Sequence, residues 1–436
     1  MIQALTLSSI SSPFEISCDK LKLEGFNCTT TEFQMPTKAE AQIRHSRYFL
    51  RVLRIADNLY VEGKDSMTLG LNLFDIESRN ISSGREWVTT QAPHSKQAAQ
   101  FCSSYPGVGA FIIDLRLNPT ERINWLEDAL IAAQYLGNKE AEGRHCGALA
   151  GCYADLGMFP RAIKLYERRL AIAQELGDKR GEGAALGNLG NVYADLKQLQ
   201  RAADFYQQHL IIAREIGDRR AEANALGNLG NIHADKGNPD QALELYELAI
   251  TISREIGDRR GEGQDLGNLG EVYADLGDTG RALELYDQRL EIAIEIGDQR
   301  GEAYAYMNRG KVYQALKDRK LAIDLYRQSL NVFHQIGDRF SVATVLGLIG
   351  NAFMLSGDFY IAIENYNKQY ETAHEISDQN GEGNALWNTS LAYRELGDID
   401  HALSCGELAL RVFKLLDGEF ARQIEEQIDI WKSETS

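Results

Sequence analysis

The sequence predicts an all-α protein built as a solenoid of stacked helical hairpins. A Gly-Asp pair recurs every 40 residues, at 177–178, 217–218, 257–258, 297–298 and 337–338. Alanines recur in the same register, and a tyrosine follows most of them after four residues. Self-similarity at a fixed period is the signature of a repeat array, in which each unit buries its apolar face against its neighbours. The alanines are Ala162, Ala202, Ala242, Ala282, Ala322, Ala362 and Ala402.

Each repeat is predicted to contain two helices. In one repeat, Leu186, Leu189 and Tyr193 fall on one face of a helix, and Ala202 and Tyr206 share a face of the next. The glycine between repeats supplies the left-handed residue that ends a helix, and the aspartate after it caps the next one. A column of small residues predicts close helix packing, with the aromatic rings filling the space beside it. That column is Gly190, Gly230, Gly270, Gly310 and Gly350.

These residues carry a family resemblance. Leu189-Gly190-x-x-Tyr193, followed by Ala202 and Tyr206, resembles the tetratricopeptide repeat, although the period of 40 exceeds the usual ~34 residues. The string Gly-Glu-Gly-x-x-Leu-Gly-Asn-Leu-Gly-Asn resembles the long repeats of Pins/LGN-type adaptors. It is also similar to the sensor repeats of bacterial NB-ARC (STAND) signalling ATPases. The resemblance implies a right-handed α-α superhelical solenoid that binds other proteins, over about two-thirds of the chain.

The repeats divide the chain into five predicted regions. We expect an unassigned polar segment at 1–37, a non-repeat helical region at 38–96 and a degenerate first repeat at 97–136. Seven tetratricopeptide-like repeats should follow at 137–416, and a capping helix at 417–436. The helical pair in the second region resembles the segment that joins an ATPase core to its sensor repeats.

Composition argues against several classes of function. The formal net charge of −17 disfavours nucleic acid, because phosphate backbones are bound through Lys and Arg. The sequence shows neither a signal peptide nor a run of about 18 apolar residues, so we expect no membrane partner and a cytoplasmic protein. The six cysteines include no CxxC pair, which argues against a zinc site or a disulfide framework.

No enzymatic motif is evident, and we expect no cofactor and no metal. Gly63-Lys64-Asp65-Ser66 lacks the glycine and hydroxyl positions of a phosphate-binding loop. Cys152 adjoins the aromatic core column, so a buried structural role is favoured over a catalytic thiol. The chain is therefore predicted not to be an enzyme.

In tetratricopeptide arrays the first helix of each hairpin lines a concave groove, and the resemblance places the exposed columns of those helices there. Asparagine can both donate and accept hydrogen bonds, and four aspartates make the first half of the groove anionic. A protein or extended peptide bearing Lys or Arg is the predicted partner. The alternative is that these columns are only a solvated face. The predicted partner-binding residues are Arg144, Asp155, Asn191, Asp195, Asn224, Asn231, Asp235, Glu271, Asp275, Tyr304, Lys311 and Asn351.

A further asparagine column is favoured to hold neighbouring helices together by bonding their backbone. It comprises Asn188, Asn228, Asn268, Asn308 and Asn388. Two functions therefore remain open. One is an interaction scaffold, and the other is the ligand-sensing part of a STAND-type system whose nucleotide-binding module is absent from this chain.

Overall fold

The computed structural model describes residues 36–416 and 418–434, which form twenty α-helices and no strand. The chain divides into two compact units, residues 1–137 and 138–436. The first 35 residues, for which the sequence predicts neither a fold nor a signal peptide, lie outside the described residues. The all-α prediction is confirmed over the described part of the chain.

The first unit contains five described helices around one apolar core. Leu53, Ile81 and Tyr105 are fully buried there. Asp57 of the first helix accepts hydrogen bonds from the backbone amides of Phe111 and Ile112, at 2.9 and 3.0 Å, and so caps the short fourth helix. The helices are α1 (Lys38–Glu62), α2 (Lys64–Gln91), α3 (Lys96–Val108), α4 (Ala110–Arg116) and α5 (Pro119–Tyr135).

The second unit contains seven helical hairpins and a final helix. Each hairpin has a first helix of 17 or 18 residues and a second helix of similar length. The first helices are α6 (Lys139–Asp155), α8 (Lys179–Asp195), α10 (Arg219–Asp235), α12 (Arg259–Asp275), α14 (Gln299–Ala315), α16 (Arg339–Ser356) and α18 (Gln379–Glu395). The second helices are α7 (Phe159–Leu176), α9 (Leu199–Glu215), α11 (Pro239–Glu255), α13 (Thr279–Ile296), α15 (Arg319–Gln335), α17 (Phe359–Glu375) and α19 (Ile399–Leu416).

The final helix, α20 (Gly418–Glu434), packs on α19. Phe413 of α19 is buried against Ile424 and Ile428 of α20, and Trp431 stacks on Trp387 of α18 at 5.6 Å between ring centroids. Helix α20 thus covers apolar surface that the last hairpin would otherwise expose.

The predicted junction chemistry between repeats is confirmed. Gly217 has φ +67°, and the Asp218 carboxylate accepts from the backbone amide of Ala221 at 3.1 Å. A left-handed residue ends the second helix, and an aspartate caps the next first helix because its oxygen satisfies an unpaired N–H. At one corresponding junction the residue with positive φ is Ser377 and not glycine, and the turns within two hairpins have positive φ at Lys197 and Lys317.

Close packing at the glycine column is also confirmed. A Cβ atom on Gly230 would lie 2.7 Å from the ring of Tyr246, and one on Gly270 would lie 2.6 Å from the ring of Tyr286. The recurring alanines of the second helices, such as Ala242, are fully buried. Small residues let the two helices of a hairpin approach, and the tyrosine ring fills the remaining space.

First helices of neighbouring hairpins contact each other directly, as α8 contacts α10 and α10 contacts α12. Second helices pack mainly on the helices just before and after them in the described part of the unit. The first helices therefore form one continuous face. Helix α16 is long and apolar enough to cross a membrane by composition alone, but its Val342, Val345 and Ile349 are buried in the core between hairpins.

Candidate partner-binding groove

Three cavities open between successive first helices, and together they form the groove of this chain. The first cavity, of about 550 Å³, is walled by α8, α10 and α12, with α9 beneath. The second, of about 540 Å³, lies between α12 and α14 above α13. The third, of about 450 Å³, lies between α16 and α18 above α17. The linings of the first and third cavities are rich in asparagine and glycine, whereas the second is lined by four arginines, Arg259, Arg260, Arg289 and Arg300, besides two asparagines and two glycines.

The floor of each cavity is a polar side chain from a second helix. His209 reaches past Gly187, where a Cβ atom would lie 3.0 Å from its Nδ1. Arg289 passes Gly267 in the second cavity, and Gln369 passes Gly347 in the third. The glycine in each first helix leaves the space that the long side chain occupies.

These floor residues were not predicted from the sequence. Their signal is a polar residue seven positions after the alanine column, opposite a glycine of the preceding helix. Burial lowers the pKa of His209 below its ordinary value, so the imidazole is neutral near pH 7. Its Nδ1 and the Oε1 of Gln369 are buried without a hydrogen-bond partner among the described residues.

Asp265 of α12 is a second residue that sequence analysis missed. It occupies a position that is alanine in four of the other six repeats, and it lines the first cavity while being only 8% exposed. Burial, assisted by the charge of Asp258, raises the pKa of its carboxyl to about 7. Asp265 makes no hydrogen bond or ion pair with any residue that the structure describes.

The predicted partner-binding residues fall into two groups. Six line the cavities: Asn191, Asn224 and Asn231 in the first, Glu271 and Tyr304 in the second, and Asn351 in the third. The other six lie exposed on first helices but outside the linings of these three cavities. They are Arg144, Asp155, Asp195, Asp235, Asp275 and Lys311.

Tyrosine hydroxyls hold the asparagines of one column. Tyr206 donates to Asn191 Oδ1 at 2.7 Å, and Tyr246 donates to Asn231 Oδ1 at 2.6 Å. The same bond joins Tyr366 to Asn351. Because each Oδ1 is held by a tyrosine, the asparagine side chain is oriented, and the N–H groups of its Nδ2 remain as donors.

The second asparagine column joins neighbouring first helices. Asn268 Nδ2 donates to Asn231 Oδ1 at 3.1 Å, and Asn308 Nδ2 donates to Glu271 Oε1 at 3.1 Å. The predicted role in holding the stack is therefore confirmed for these two residues. The acceptors are side chains, however, and not the predicted backbone, because the carbonyls inside a helix already accept from that helix's own amides.

Charge in the groove is mixed, whereas the sequence predicted an anionic first half. Arg180 and Arg220 line the first cavity, and Arg220 forms an ion pair with Asp258 at 2.8 Å. Arg180 lies 3.3 Å from Asp218 in the same way. Each arginine thus offsets the aspartate that caps the next first helix, which leaves Asp265 as the unpaired carboxylate of this cavity.

The described residues do not form a group of three or more His, Cys, Asp or Glu side chains that could hold a metal. Cys146 and Cys152 are buried, and desolvation raises the pKa of the Cys146 thiol to about 11. Such a thiol is a weak nucleophile because its thiolate is scarce at neutral pH. The arrangement in the groove is suited to hydrogen bonding of a ligand.

Three solved structures share the fold. Aspartyl phosphate phosphatase F from Bacillus subtilis is 11% identical, with a TM-score of 0.57, covering 80% of this chain and 97% of that one. The quorum sensor NprR from B. thuringiensis, in its apo form, is 14% identical, with a TM-score of 0.56, covering 86% and 99%. At these identities the likeness concerns the fold alone.

The third is a Signal Transduction ATPase with Numerous Domains (STAND) from Pyrococcus horikoshii, which has a tetratricopeptide repeat sensor. It is 16% identical, with a TM-score of 0.53, and the match covers 89% of this chain and 65% of that protein. No curated protein matches the chain in sequence. The tetratricopeptide repeat profile matches residues 141–215, 182–255, 221–295, 265–335 and 341–414. This chain belongs to the tetratricopeptide repeat family.

Proposed function

We propose that this chain is a protein-interaction scaffold that binds an extended peptide, or an extended segment of a partner protein, along its first helices. The observation that carries this proposal is the row of three cavities, of which the first and third are lined mainly by asparagine and glycine. Amide donors match the carbonyl acceptors of an extended backbone, and glycines let that backbone come close.

The asparagines have the orientation that this role requires. A tyrosine fixes Oδ1 of Asn191, Asn231 and Asn351, so that Nδ2 is left to donate to a ligand carbonyl. Each such bond contributes only ~0.5–1.5 kcal/mol net. Useful affinity therefore needs several asparagines acting along one peptide, which their recurrence from repeat to repeat provides.

The finer chemistry of the partner follows from charge. The net charge of −17 favours a segment that carries Lys or Arg and disfavours nucleic acid. The six predicted residues outside the cavities, such as Asp195 and Asp235, would contact the parts of the partner that flank the bound segment. The cysteines of the described residues form no disulfide, which fits a reducing cytoplasm.

The test is a peptide selected from a random display library against the wild-type chain. Its affinity is then measured calorimetrically for Asn191→Ala/Asn231→Ala. We expect a loss of about tenfold or more, from two hydrogen bonds at ~0.5–1.5 kcal/mol each. Gln207→Ala/Gln208→Ala, on the exposed face of α9, is the matched control and should bind as wild type does.

A second control distinguishes hydrogen bonding to the peptide from the internal hydrogen bonds that hold the asparagines in place. Tyr206→Phe/Tyr246→Phe removes the same two internal hydrogen bonds but keeps both Nδ2 donors. Binding should be weakened less by this variant than by the asparagine pair. Equal affinity of the asparagine variant and wild type for the selected peptide would contradict the proposal.

The second candidate is the ligand-sensing part of a STAND signalling system. It is supported by the non-repeat helices α1 and α2 and by the fold shared with a STAND protein over 89% of this chain. Co-expression with a neighbouring NB-ARC ATPase is the test. Ligand-dependent co-purification of the two proteins would favour the sensor, and independent elution would favour the scaffold.

A further inference from the structure

The first cavity has one feature that duplication of the repeat does not explain. Residue 265 has one equivalent in each of the seven repeats, and only Asp265 is a carboxylate. Ala185 and Ala225 occupy the equivalent position in the two preceding repeats. Alanine at this position is fully buried in both of those repeats. A single repeat has therefore exchanged a core methyl group for an acid, at a place where the acid is 8% exposed.

The carboxylate has no partner within the described chain. The three cations that line the cavity are paired elsewhere, Lys179 with Glu182, Arg180 with Asp218 and Arg220 with Asp258. An ionised carboxylate that is buried without a counter-ion is strongly disfavoured. Its raised pKa, about 7, is the consequence expected of that isolation.

The floor of the cavity provides a group that does not repel a cation. His209 is neutral near pH 7, and its Nδ1 is buried without a hydrogen-bond partner. The side-chain amides of Asn188, Asn228 and Asn268 line the same space. An ammonium or guanidinium group has several N–H donors, so it needs several acceptors besides its counter-ion.

We propose that the first cavity is a specificity pocket for one Lys or Arg side chain of the bound peptide, with Asp265 as its counter-ion. This deepens, and rests on, the function proposed above. A volume of about 550 Å³ accommodates a long basic side chain together with its backbone. Entry of the cation pairs the buried acid, and a peptide that lacks the cation leaves it unpaired.

The test uses the display-selected peptide and copies of it in which each Lys or Arg is replaced by norleucine. One replacement should weaken binding to the wild-type chain at least about tenfold, the coupling typical of close charge pairs. Asp265→Ala should bind the original peptide more weakly by a similar factor. The norleucine replacement in the peptide should not weaken binding to Asp265→Ala any further, because both changes remove the same interaction.

The equivalent repeats indicate that the Asp265→Ala variant will fold. Ala185 and Ala225 already occupy the equivalent position, so Asp265→Ala should melt at or above the wild-type temperature. Glu247→Ala removes an exposed carboxylate of α11 that lies outside the cavity linings, and it should leave both affinities unchanged. Free spermidine serves as a second probe, to distinguish a peptide side chain from a small amine.

Three outcomes overturn the proposal. Equal binding of the peptide by Asp265→Ala and wild type, with the asparagine variant still weakened, contradicts the pocket proposal but not the groove proposal. Failure of the library to yield any binder contradicts the groove proposal and the pocket proposal together. Binding of spermidine as tightly as the peptide, and dependent on Asp265, assigns the cavity to a small amine instead.

Discussion

The carboxylate of Asp265 on α12 lies against Gly227 on α10, where a Cβ atom would come within 2.6 Å of Oδ1. The repeat supplies the glycine, and one repeat alone supplies the acid. The same device recurs with other side chains, because His209 faces Gly187 and Gln369 faces Gly347. Similar repeats thus form cavities with different chemistry, since the glycine leaves room and the opposing residue decides what fills it.

Stability should fall with rising pH because of Asp265. Burial raises the pKa of its carboxyl from 3.8 to about 7, and Asp258, the residue that caps the same helix, contributes. The folded state then holds a proton that the unfolded chain has lost, so stability is highest below pH ~3.8 and declines up to pH ~7. The total loss is up to about 4 kcal/mol at ~1.4 kcal/mol per unit.

Asp265→Asn should remove that decline. Urea unfolding at pH 5 and pH 8 measures it, and the advantage of the variant over wild type should be larger at pH 8. His209 on α9, Tyr246 on α11 and Asp258 are other titratable groups nearby, and all three remain in the variant. Asp235→Asn, which changes an exposed acid, is the control. The same advantage at both pH values would refute the assignment.

Gly270→Ala should destabilise the array. The new Cβ atom would lie 2.6 Å from the ring of Tyr286, which cannot move aside because it is itself buried. Overpacking of this kind costs about 1–3 kcal/mol. Gly151→Ala is the matched control in another first helix, since its nearest atom is the Tyr166 hydroxyl at 3.6 Å. The control should gain up to ~1 kcal/mol of helix propensity.

Thermal melting of the two variants decides this prediction. Gly270→Ala should melt below wild type and Gly151→Ala at or above it. If both variants shifted in the same direction by the same amount, the change would reflect helix propensity and not the packing of the tyrosine ring.

Lys197→Gly and Lys317→Gly should each stabilise the chain by about 1 kcal/mol. Both lysines have positive φ, 56° and 65°, where a Cβ atom is strained and glycine is not. The ion pair between Lys197 and Asp235, at 3.8 Å on the surface, is worth little in return. Gly237→Ala makes the opposite change at φ +72° and should destabilise. Denaturant midpoints that were the same for all three variants and for wild type would argue against backbone strain.

The sequence alone predicted the hairpins, the capping aspartates and the packing of tyrosine on glycine. These features depend on residues close in sequence or on a repeated period, so a pattern in one chain is enough to indicate them. Asp218 and Ala221 are three residues apart, and Gly230 and Tyr246 belong to the same hairpin.

The tertiary structure decided which polar residues meet. The first cavity joins residues from three first helices, 40 and 80 residues apart in sequence, with a second helix beneath them. The sequence placed Asp195 and Asp235 in the groove because they continue a column, yet they lie outside the cavities, whereas Asp265 and His209 lie within. Periodicity assigns a residue to a face of its own helix, but only the packing of several helices determines which side chains share one enclosed space.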